Sequence, residues 1–492
     1  MTEAQKYYDY LKMLKTDYTK VCRARFLNPD GSTAFAVDNN SDFLRNKALL
    51  TDNGTLTCNL QNGQRRSMNL TFSQVTEDFD YNLNNVWFGT EIAWDEGLLL
   101  SDGAPYYIPQ GIFVVKDPQE TIVNNERSIS YNLVDKWANL DGTLYGNLEA
   151  TYTADMGVNI FAPIAALLSE DRGNGRPLDN VTPIFTSYYN GKYQELPDGR
   201  TFVALTSAPY SLVVEPGTKA DVVLGFAKML NAWVGYDETG ALRIDPSQDD
   251  ILDTTKPVQW EFSTDEAEII GLTYDVKNTD VYNDIIVMGE TTSDQKQSAA
   301  RAQNLDPTSD TNVQTIGRKT LRLANTGLFT QQQCDDFALW KLKRTTILQK
   351  AVTVQCKQIM HIKLNQLITI ERTDKPGSPT ERHLVLGFSR PQNGTELMML
   401  NCVSVNDFPI ATLANNWWGN FASLAIRYPS GYLCTASSQN TTLTAPNTSG
   451  IWNCEIPFGG AWTITAKKTG ETTRTTTTGV YTWGATVQVN LA

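Results

Sequence analysis

Residues 268–290 read EIIGLTYDVKNTDVYNDIIVMGE, and this stretch decides how the chain is interpreted. Two runs of β-branched, aliphatic and aromatic residues, 269–274 and 281–287, flank the polar segment 275–280. Runs of this kind, bounded by Asn, Asp and Gly, are typical of paired β-strands. The stretch contains no nucleophile motif, no metal-ligand set and no phosphate-binding loop. It therefore predicts a scaffold element, and it suggests that the function of the chain is to be a scaffold.

The length and the net charge of the chain limit the classes of protein to which it can belong. A chain of 492 residues is too long for one hydrophobic core, so three or four domains are expected. With 41 basic and 54 acidic residues the net charge is −13. An acidic protein repels phosphates and gains nothing from counterion release, so specific nucleic-acid binding is not expected. Two interpretations of the charge stay open: an ordinary soluble protein, or a surface along which DNA slides without binding.

The termini and cysteines indicate a protein made in the cytoplasm. The N-terminus, MTEAQKYYDYLKMLKTDY, lacks the apolar core of a signal peptide, and no run of about 18 apolar residues predicts a membrane span. Seven dispersed cysteines without a CxxC motif predict reduced, buried thiols. Cys434 and Cys454 fall in the same predicted domain, and the sequence leaves open whether they pair.

The spacing of strand and helix signals predicts a chain that is mainly β with α+β. Residues 1–20 predict a helix, with Thr2 as its N-cap and an apolar stripe of Tyr7, Tyr8, Leu11 and Leu14. It packs either on its own domain or on a neighbouring subunit. Hairpin signals fall at 23–37 and 56–72, and helix signals at Pro163, after residue 215 and after Thr330, which starts a capping box.

This pattern divides the chain into segments. Two β-barrel-like domains, 21–141 and 248–408, flank a small α+β domain at 142–247. A linker at 409–419, with its Asn-Asn-Trp-Trp run, leads to residues 420–492. This last segment holds seven short strand-like runs separated by turns, so it predicts a C-terminal β-sandwich.

No catalytic, cofactor or metal site is predicted. The only histidines, His361 and His383, stand outside any zinc-binding spacing. A nucleophilic pair would need Cys356 or Cys402 beside one of them, but Cys356 and His361 differ in parity along a continuous strand. Carboxylate pairs such as 95–96 and 335–336 are expected in any acidic chain, and they predict solvated surface.

The C-terminal aromatic residues allow two interpretations. Trp452, Trp462, Tyr481 and Trp483 lie in the predicted sandwich. Exposed indoles stack on sugar rings, so Trp452, Trp462 and Trp483 are candidate glycan contacts. At strand spacing such residues also form sandwich cores.

The order of several short motifs resembles the tail-tip or baseplate hub proteins of tailed phages and related contractile machines. The span 268–400 carries most of the resemblance, in VYNDIIVMG at 281–289, NLDPTS at 304–309, IGRK at 316–319, the helix after Thr330 and LNQLITI at 364–370. IPQGIFVV at 108–115 and LVDKW at 133–137 are similar to a first hub domain, and residues 209–245 to a second. The segments 423–426, 442–445, 450–453 and 459–466 resemble Ig-like or carbohydrate-binding-like modules appended to tail proteins.

The resemblance implies a non-enzymatic virion protein of the tail tip, assembled in the host cytoplasm. It implies a homotrimer whose two barrel-like hub domains per chain give six similar positions, adapting a six-fold tube to a three-fold tip through which DNA leaves. The implied partners are the tail tube protein, the distal tail protein ring and the tape measure protein. Fibre or spike proteins and a host surface glycan are further partners that the resemblance allows. Since the sequence ends at Ala492, a piercing needle or lysin is expected to be another protein.

Two other functions are alternatives to the structural hub. One is a receptor-binding tail protein whose C-terminal module holds a surface glycan, and it is compatible with the hub. The other is a tail-associated cell-wall hydrolase, which the scarcity of histidine and the lack of a catalytic motif disfavour.

Overall fold

The computed structural model describes most of the chain. The described residues are 1–40, 47–83, 85–188, 190–191, 193–195, 202–230, 232–246, 257–263, 269–276, 280–291, 297–324, 328, 331–346, 350–372, 374, 380–405, 411–413, 422–438, 441–456, 460–480 and 486–491. The chain forms two compact units. The large unit comprises residues 1–192, 204–276 and 350–407, and the small unit comprises 193–203, 277–349 and 408–492.

Five helices and 32 strands are found among the described residues. The helices are α1 (Glu3–Leu14), α2 (Phe161–Ser169), α3 (Lys219–Met229), α4 (Val313–Ile316) and α5 (Gln331–Thr345). The strands up to residue 246 are β1 (Lys20–Leu27), β2 (Thr33–Asp38), β3 (Leu49–Leu50), β4 (Thr55–Asn59), β5 (Arg66–Ser73), β6 (Glu91–Leu99), β7 (Pro105–Val123), β8 (Glu126–Asp135), β9 (Tyr152–Ala154), β10 (Ile184–Phe185), β11 (Tyr193–Glu195), β12 (Phe202–Ala204), β13 (Leu212–Val214), β14 (Ala232–Tyr236) and β15 (Leu242–Pro246). Those that follow are β16 (Val258–Phe262), β17 (Ile269–Val276), β18 (Asp284–Thr291), β19 (Gln297–Asn304), β20 (Thr320–Leu323), β21 (Lys350–Cys356), β22 (Leu367–Ile370), β23 (Glu381–Pro391), β24 (Met398–Ser404), β25 (Ala411–Leu413), β26 (Ala422–Arg427), β27 (Leu433–Ser438), β28 (Thr441–Thr444), β29 (Ile451–Ile456), β30 (Gly460–Lys467), β31 (Arg474–Val480) and β32 (Thr486–Asn490).

The stretch 268–290 forms two strands, as predicted, but the prediction that they pair was wrong. β17 pairs with β21 in the large unit, whereas β18 pairs with β19 and β20 in the small unit. Each strand finds a more extensive partner elsewhere, and a polar segment between two apolar runs does not by itself specify a hairpin. The hairpins predicted at 23–37 and 56–72 are confirmed as β1–β2 and β4–β5.

A 14-stranded sheet dominates the large unit. Its main path runs β17-β21-β24-β23-β4-β5-β8-β7-β6-β1-β2, with β16, β22 and β3 attached to it. The ladder between β23 and β4 joins the two strand-rich regions, and Phe388 lies opposite Cys58. The mainly β fold is therefore confirmed, but among the described strands the path does not close into a barrel. The domain boundaries themselves stay predictions.

One hydrophobic core covers both strand-rich regions. Phe26 and Phe72 from the first region and Phe388 from the second belong to the same buried cluster. A separate cluster lies among α2, α3 and the small sheet β10-β15-β14, within the predicted α+β region.

Helix α1 packs on its own chain. Thr2 and Gln5 form a capping box, because the side chain of each accepts a hydrogen bond from the backbone N–H of the other. Tyr10 and Leu14 are fully or almost fully buried in the core of the large unit. The Tyr10 hydroxyl lies 3.1 Å from Nδ1 of His361. Within the protomer, the helix therefore packs on the large unit of its own chain.

The small unit begins with a four-stranded sheet in the order β20-β18-β19-β25. Helix α5 covers it, and Ile285, Val287 and Leu342 share one buried cluster. The predicted helix after Thr330 is thus confirmed, although Thr330 lies outside the described residues. Residues 411–413 of the predicted linker form strand β25, which pairs with β19.

Residues 422–491 form a sandwich of seven strands, which confirms all seven predicted runs. One sheet has the order β29-β26-β32 and the other β28-β27-β30-β31. The first and last strands, β26 and β32, run parallel. Leu424, Cys434, Cys454 and Trp462 meet in the core between the sheets. The likeness to Ig-like modules stays a prediction.

Candidate functional site

The two histidines have structural environments. The His361 Nε2 lies 3.2 Å from the carbonyl oxygen of Gln259, so Nε2–H donates and Nδ1 accepts from the Tyr10 hydroxyl. Burial lowers the pKa of His361 to about 4, so the ring is neutral at pH 7. His383 is fully buried, and its Nε2 lies 3.2 Å from a carboxylate oxygen of Glu381. The His361 ring links helix α1 to the segment around Gln259 in the large unit, whereas the His383 contact lies within strand β23.

The carboxylates 95 and 96 do not form an acid–base pair. They alternate along β6, and each belongs to a separate ion-pair network. Asp95 binds the guanidinium groups of Arg23 and Arg25 at 2.9 and 2.8 Å. Glu96 binds the Arg390 guanidinium at 2.5 Å and the Lys20 ammonium at 3.3 Å. Both carboxylates are almost fully buried, so the prediction of solvated surface was wrong for this pair. Their charges are neutralised by buried or half-buried cations within the fold.

The thiols have the properties of core residues. All seven are buried and none forms a disulfide, so Cys434 and Cys454 are not joined. Burial raises the pKa to about 12 for Cys22 and Cys334, to about 11 for Cys58 and Cys434, and further for Cys402. A nucleophilic cysteine needs a lowered pKa, so these five thiols do not suit catalysis.

Metal sites and membrane-spanning helices are both absent from the described part of the chain. No group of three or more His, Cys, Asp or Glu side chains in the described ranges is arranged to hold a metal ion. No helix within those same ranges is long and apolar enough to cross a membrane.

The three predicted glycan contacts have different positions. Trp462 lies in the sandwich core with no exposed surface, so its ring is inaccessible to a sugar and the prediction is corrected for this residue. Its position on the inward-facing side of β30 explains the burial. Trp452 is half-buried at the margin of the core. Trp483 lies outside the described residues.

Trp452 borders an open groove of about 990 Å³ on the sandwich. Strands β26, β28, β29 and β32 supply the walls, whose polar side chains are Ser423, Thr442, Thr444, Asn453, Thr486 and Gln488. Across the strands, Asn453 and Gln488 flank Ala425 in one row, because both pair with it in the register. None of the described residues that line the groove is charged.

The lining has the chemistry to bind a neutral, hydroxyl-rich ligand. Amides and hydroxyls donate and accept hydrogen bonds without attracting ions. Trp452 is on the core side of β29, opposite Ile426, and it lines the groove from this edge strand, where its indole adds an apolar surface. The small side chain of Ala425 leaves room between the two amides of its row. These features favour a saccharide over a charged ligand.

The sequence indicated Trp452 but missed the polar side chains around it. Residues 423, 425, 486 and 488 share the outward parity of their strands, which is a signal that the sequence does contain. Their convergence depends on the parallel pairing of the first and last strands of the sandwich. No local pattern predicts that pairing.

Comparison with known proteins gives matches only among solved structures. The sequence matches no protein-family model and no curated protein. A tail protein from Neisseria meningitidis MC58 is 9% identical, with a TM-score of 0.49 over 80% of this chain and 98% of that one. The 43 kDa tail protein of prophage MuSo2 from Shewanella oneidensis is 12% identical, with a TM-score of 0.46 over 78% and 98%.

A third similar structure is a component of the Escherichia coli type VI secretion system, itself described as similar to T4 bacteriophage tail proteins. It is 9% identical, with a TM-score of 0.40 over 88% of this chain and 98% of that one. The structures that this chain resembles are phage tail and baseplate proteins and their relatives.

Proposed function

We propose that the chain is a non-enzymatic structural subunit of a phage tail tip, a hub that assembles as a homotrimer. In this role it closes the tail tube, adapts six-fold to three-fold symmetry and lets DNA pass during ejection. It would be assembled in the host cytoplasm and would contact the tail tube protein, the distal tail ring and the tape measure protein.

The observation that carries the proposal is the open sheet of the large unit. Among the described strands, β2 and β17 each have one neighbour in this sheet, so each presents a row of backbone groups to a further partner. Ile270 on β17 is 62% exposed. Pairing between subunits in a closed ring covers such edges. The acidic net charge of −13 suits a channel that does not retain DNA.

The proposal requires that the purified full-length chain associates with itself. Analytical ultracentrifugation over a wide concentration range measures this directly. The variant Leu272→Pro tests the role of β17. Tails are assembled from chains that carry this change in place of the wild-type chain. Proline removes a backbone donor and disrupts the ladder with β21.

A second function, glycan binding by the C-terminal sandwich, is favoured by the neutral groove beside Trp452. It is compatible with the hub, because it concerns a different part of the chain. Tails that carry a chain lacking residues 420–492 separate the two roles. If the tails assemble but do not adsorb to cells, the sandwich is an adhesin; if they do not assemble, it is structural.

We expect Trp452→Ala to weaken binding to a neutral polysaccharide in solution at least about tenfold, or about 1.4 kcal/mol. The reason is the loss of the one aromatic surface in the groove. Isothermal titration against a panel of neutral polysaccharides measures the effect. Ile451→Ala is the matched control, since Ile451 is the adjacent residue, is 64% exposed and does not line the groove. Equal affinities of the two variants would contradict a glycan site here.

A further inference from the structure

Strands β7 and β8 form a long hairpin at the margin of the sheet of the large unit. The β6–β7 ladder ends at Val114, whereas β8 stays paired with β5 as far as Ser128. Residues 116–126 are exposed along almost their whole length. The tip carries Ile122 and Val123, which are 66% and 60% exposed. Two neighbouring apolar side chains at the end of an exposed hairpin are unusual unless a partner covers them.

The hairpin has a defined conformation. Asn124 and Asn125 have φ values of 49° and 65°, as a two-residue type I′ turn requires. A bulge between Lys116 and Gln119, with Asp117 at φ 47°, redirects the outer part of the hairpin. A rigid tip loses little conformational entropy when it docks, so it is suited to binding.

A groove of about 590 Å³ lies elsewhere on the large unit. Its lining includes the aromatic rings of Trp87, Phe88 and Tyr145. Phe88 is 60% exposed and Leu83, at the margin, 81% exposed. These side chains form an apolar surface of the kind that could receive the hairpin tip.

The charged residues that line the groove are Arg172, Arg176 and Glu91, so positive charge exceeds negative by one. Arg172 is 91% buried and stacks on Tyr145, with its guanidinium carbon 4.8 Å from the ring centre. Its Nη2 donates to a backbone carbonyl and lies 3.8 Å from Glu91, but its Nε is buried with no hydrogen-bond partner among the described residues. Arg176 is exposed and forms no ion pair within the described part of the chain. The groove therefore favours an apolar segment that carries carboxylates.

The hairpin presents that combination. Glu126 follows the turn directly and is exposed, and Asp117 lies at the bulge. Glu126 forms no ion pair with any residue in the described ranges, so its charge is available to a partner. We infer that the tip of the hairpin docks in the groove of a second copy of this chain. The inference rests on the proposed self-assembly and names the surfaces that carry it.

The tip of the hairpin and the groove border one another within the protomer, since Arg127 lies opposite Ile122 beside the turn. Arg127, in β8, pairs with Asp80, and the neighbouring Tyr81 packs on Trp87 with ring centres 4.7 Å apart. A second copy that docks at this position therefore covers the hairpin and the aromatic surface in one contact.

Charge exchange on the full-length chain tests the contact. We expect Glu126→Arg and Arg176→Glu each to raise the dissociation constant for self-association at least tenfold, and the double variant to return it to within about threefold of the wild-type value. Ile122→Asp should weaken association as well, because it places a charge on the apolar tip. Analytical ultracentrifugation gives the constants. All three changed positions are exposed, so folding should be unaffected.

The outcomes are distinguishable. Glu149→Arg, an exposed site outside the groove and the hairpin, is the control and should leave association unchanged. If wild type associates and the three single variants associate equally well, the docking inference is overturned while the hub proposal stands. If wild type stays monomeric at every concentration, both are overturned. If the two charge reversals weaken association but the double variant does not recover it, the groove and the hairpin do not face each other.

Discussion

Replacing Glu96 with glutamine is expected to lower the free energy of unfolding of the large unit by about 3–5 kcal/mol. Glu96 is the only carboxylate between the buried cations of Lys20 and Arg390 in this network. The amide keeps the shape of the side chain but removes its charge, so two cations stay buried without a counterion. Urea denaturation at pH 7, followed by tryptophan fluorescence, measures the loss. Glu3→Gln removes an exposed ion pair and is the control that should change nothing.

The same network predicts a pH dependence. Burial acts to raise the pKa of Glu96, but Lys20 and Arg390 outweigh it, and the pKa lies below the ordinary value of 4.5. A carboxylate with a lowered pKa contributes stability above its unfolded pKa, and this contribution is lost as the pH falls through the folded pKa. Wild type should therefore lose stability below about pH 4.5, whereas this component should be missing from Glu96→Gln. Parallel pH profiles for the two proteins would contradict the assignment.

Trp462→Ala is expected to lower the stability of the C-terminal sandwich by about 3–5 kcal/mol. The indole is one of the largest fully buried side chains, and it contacts both sheets through the core of Leu424, Cys434 and Ile464. Its removal leaves a cavity that strands held by ladders on both sides cannot close. Hydrogen exchange of the amides in β27, β30 and β31 of the full-length chain measures the effect.

Trp452→Ala is the matched variant for this experiment. Trp452 lies at the margin of the same core and is half-buried, so its loss should reduce protection much less. Equal protection losses for the two variants would show that the two indoles have similar environments. That result would contradict the assignment of Trp462 to the core and of Trp452 to the groove.

The strands of the sandwich could be predicted from the sequence because their signals are local. Alternation along 461–466 and 486–491, with turns between the runs, gives each strand without knowledge of its partner. The capping box of Thr2 is equally local, since the groups that bond lie three residues apart. The identity of the core residues follows from the same alternation.

The long-range pairings could not be predicted in this way. Phe388 and Cys58 lie opposite each other although they are 330 positions apart in the chain, and this ladder joins two regions that the sequence suggested were separate barrels. Likewise, the polar residues 275–280 resemble a hairpin turn, but β17 and β18 belong to different units. Pairing is decided by packing in three dimensions, which a single sequence does not display.

The candidate groove likewise combines a residue that the sequence indicates with a strand pairing that it does not. The indole of Trp452 is visible in the sequence as an aromatic residue at strand spacing, but so is that of Trp462, which is buried. Both lie on the core side of their strands, since Trp452 is opposite the buried Ile426, but β29 is at the edge of its sheet whereas β30 lies between β27 and β31. Asn453 and Gln488 lie in one row, on either side of Ala425, because β26 lies between β29 and β32.

The measurement that tests the central claim most directly is the stoichiometry and symmetry of the purified full-length chain. Native mass spectrometry gives the number of subunits, and class averages from electron microscopy give the symmetry of the particles. A structural hub predicts trimers with three-fold symmetry. A chain that stays monomeric at every concentration, or that forms particles without a three-fold axis, would contradict the account.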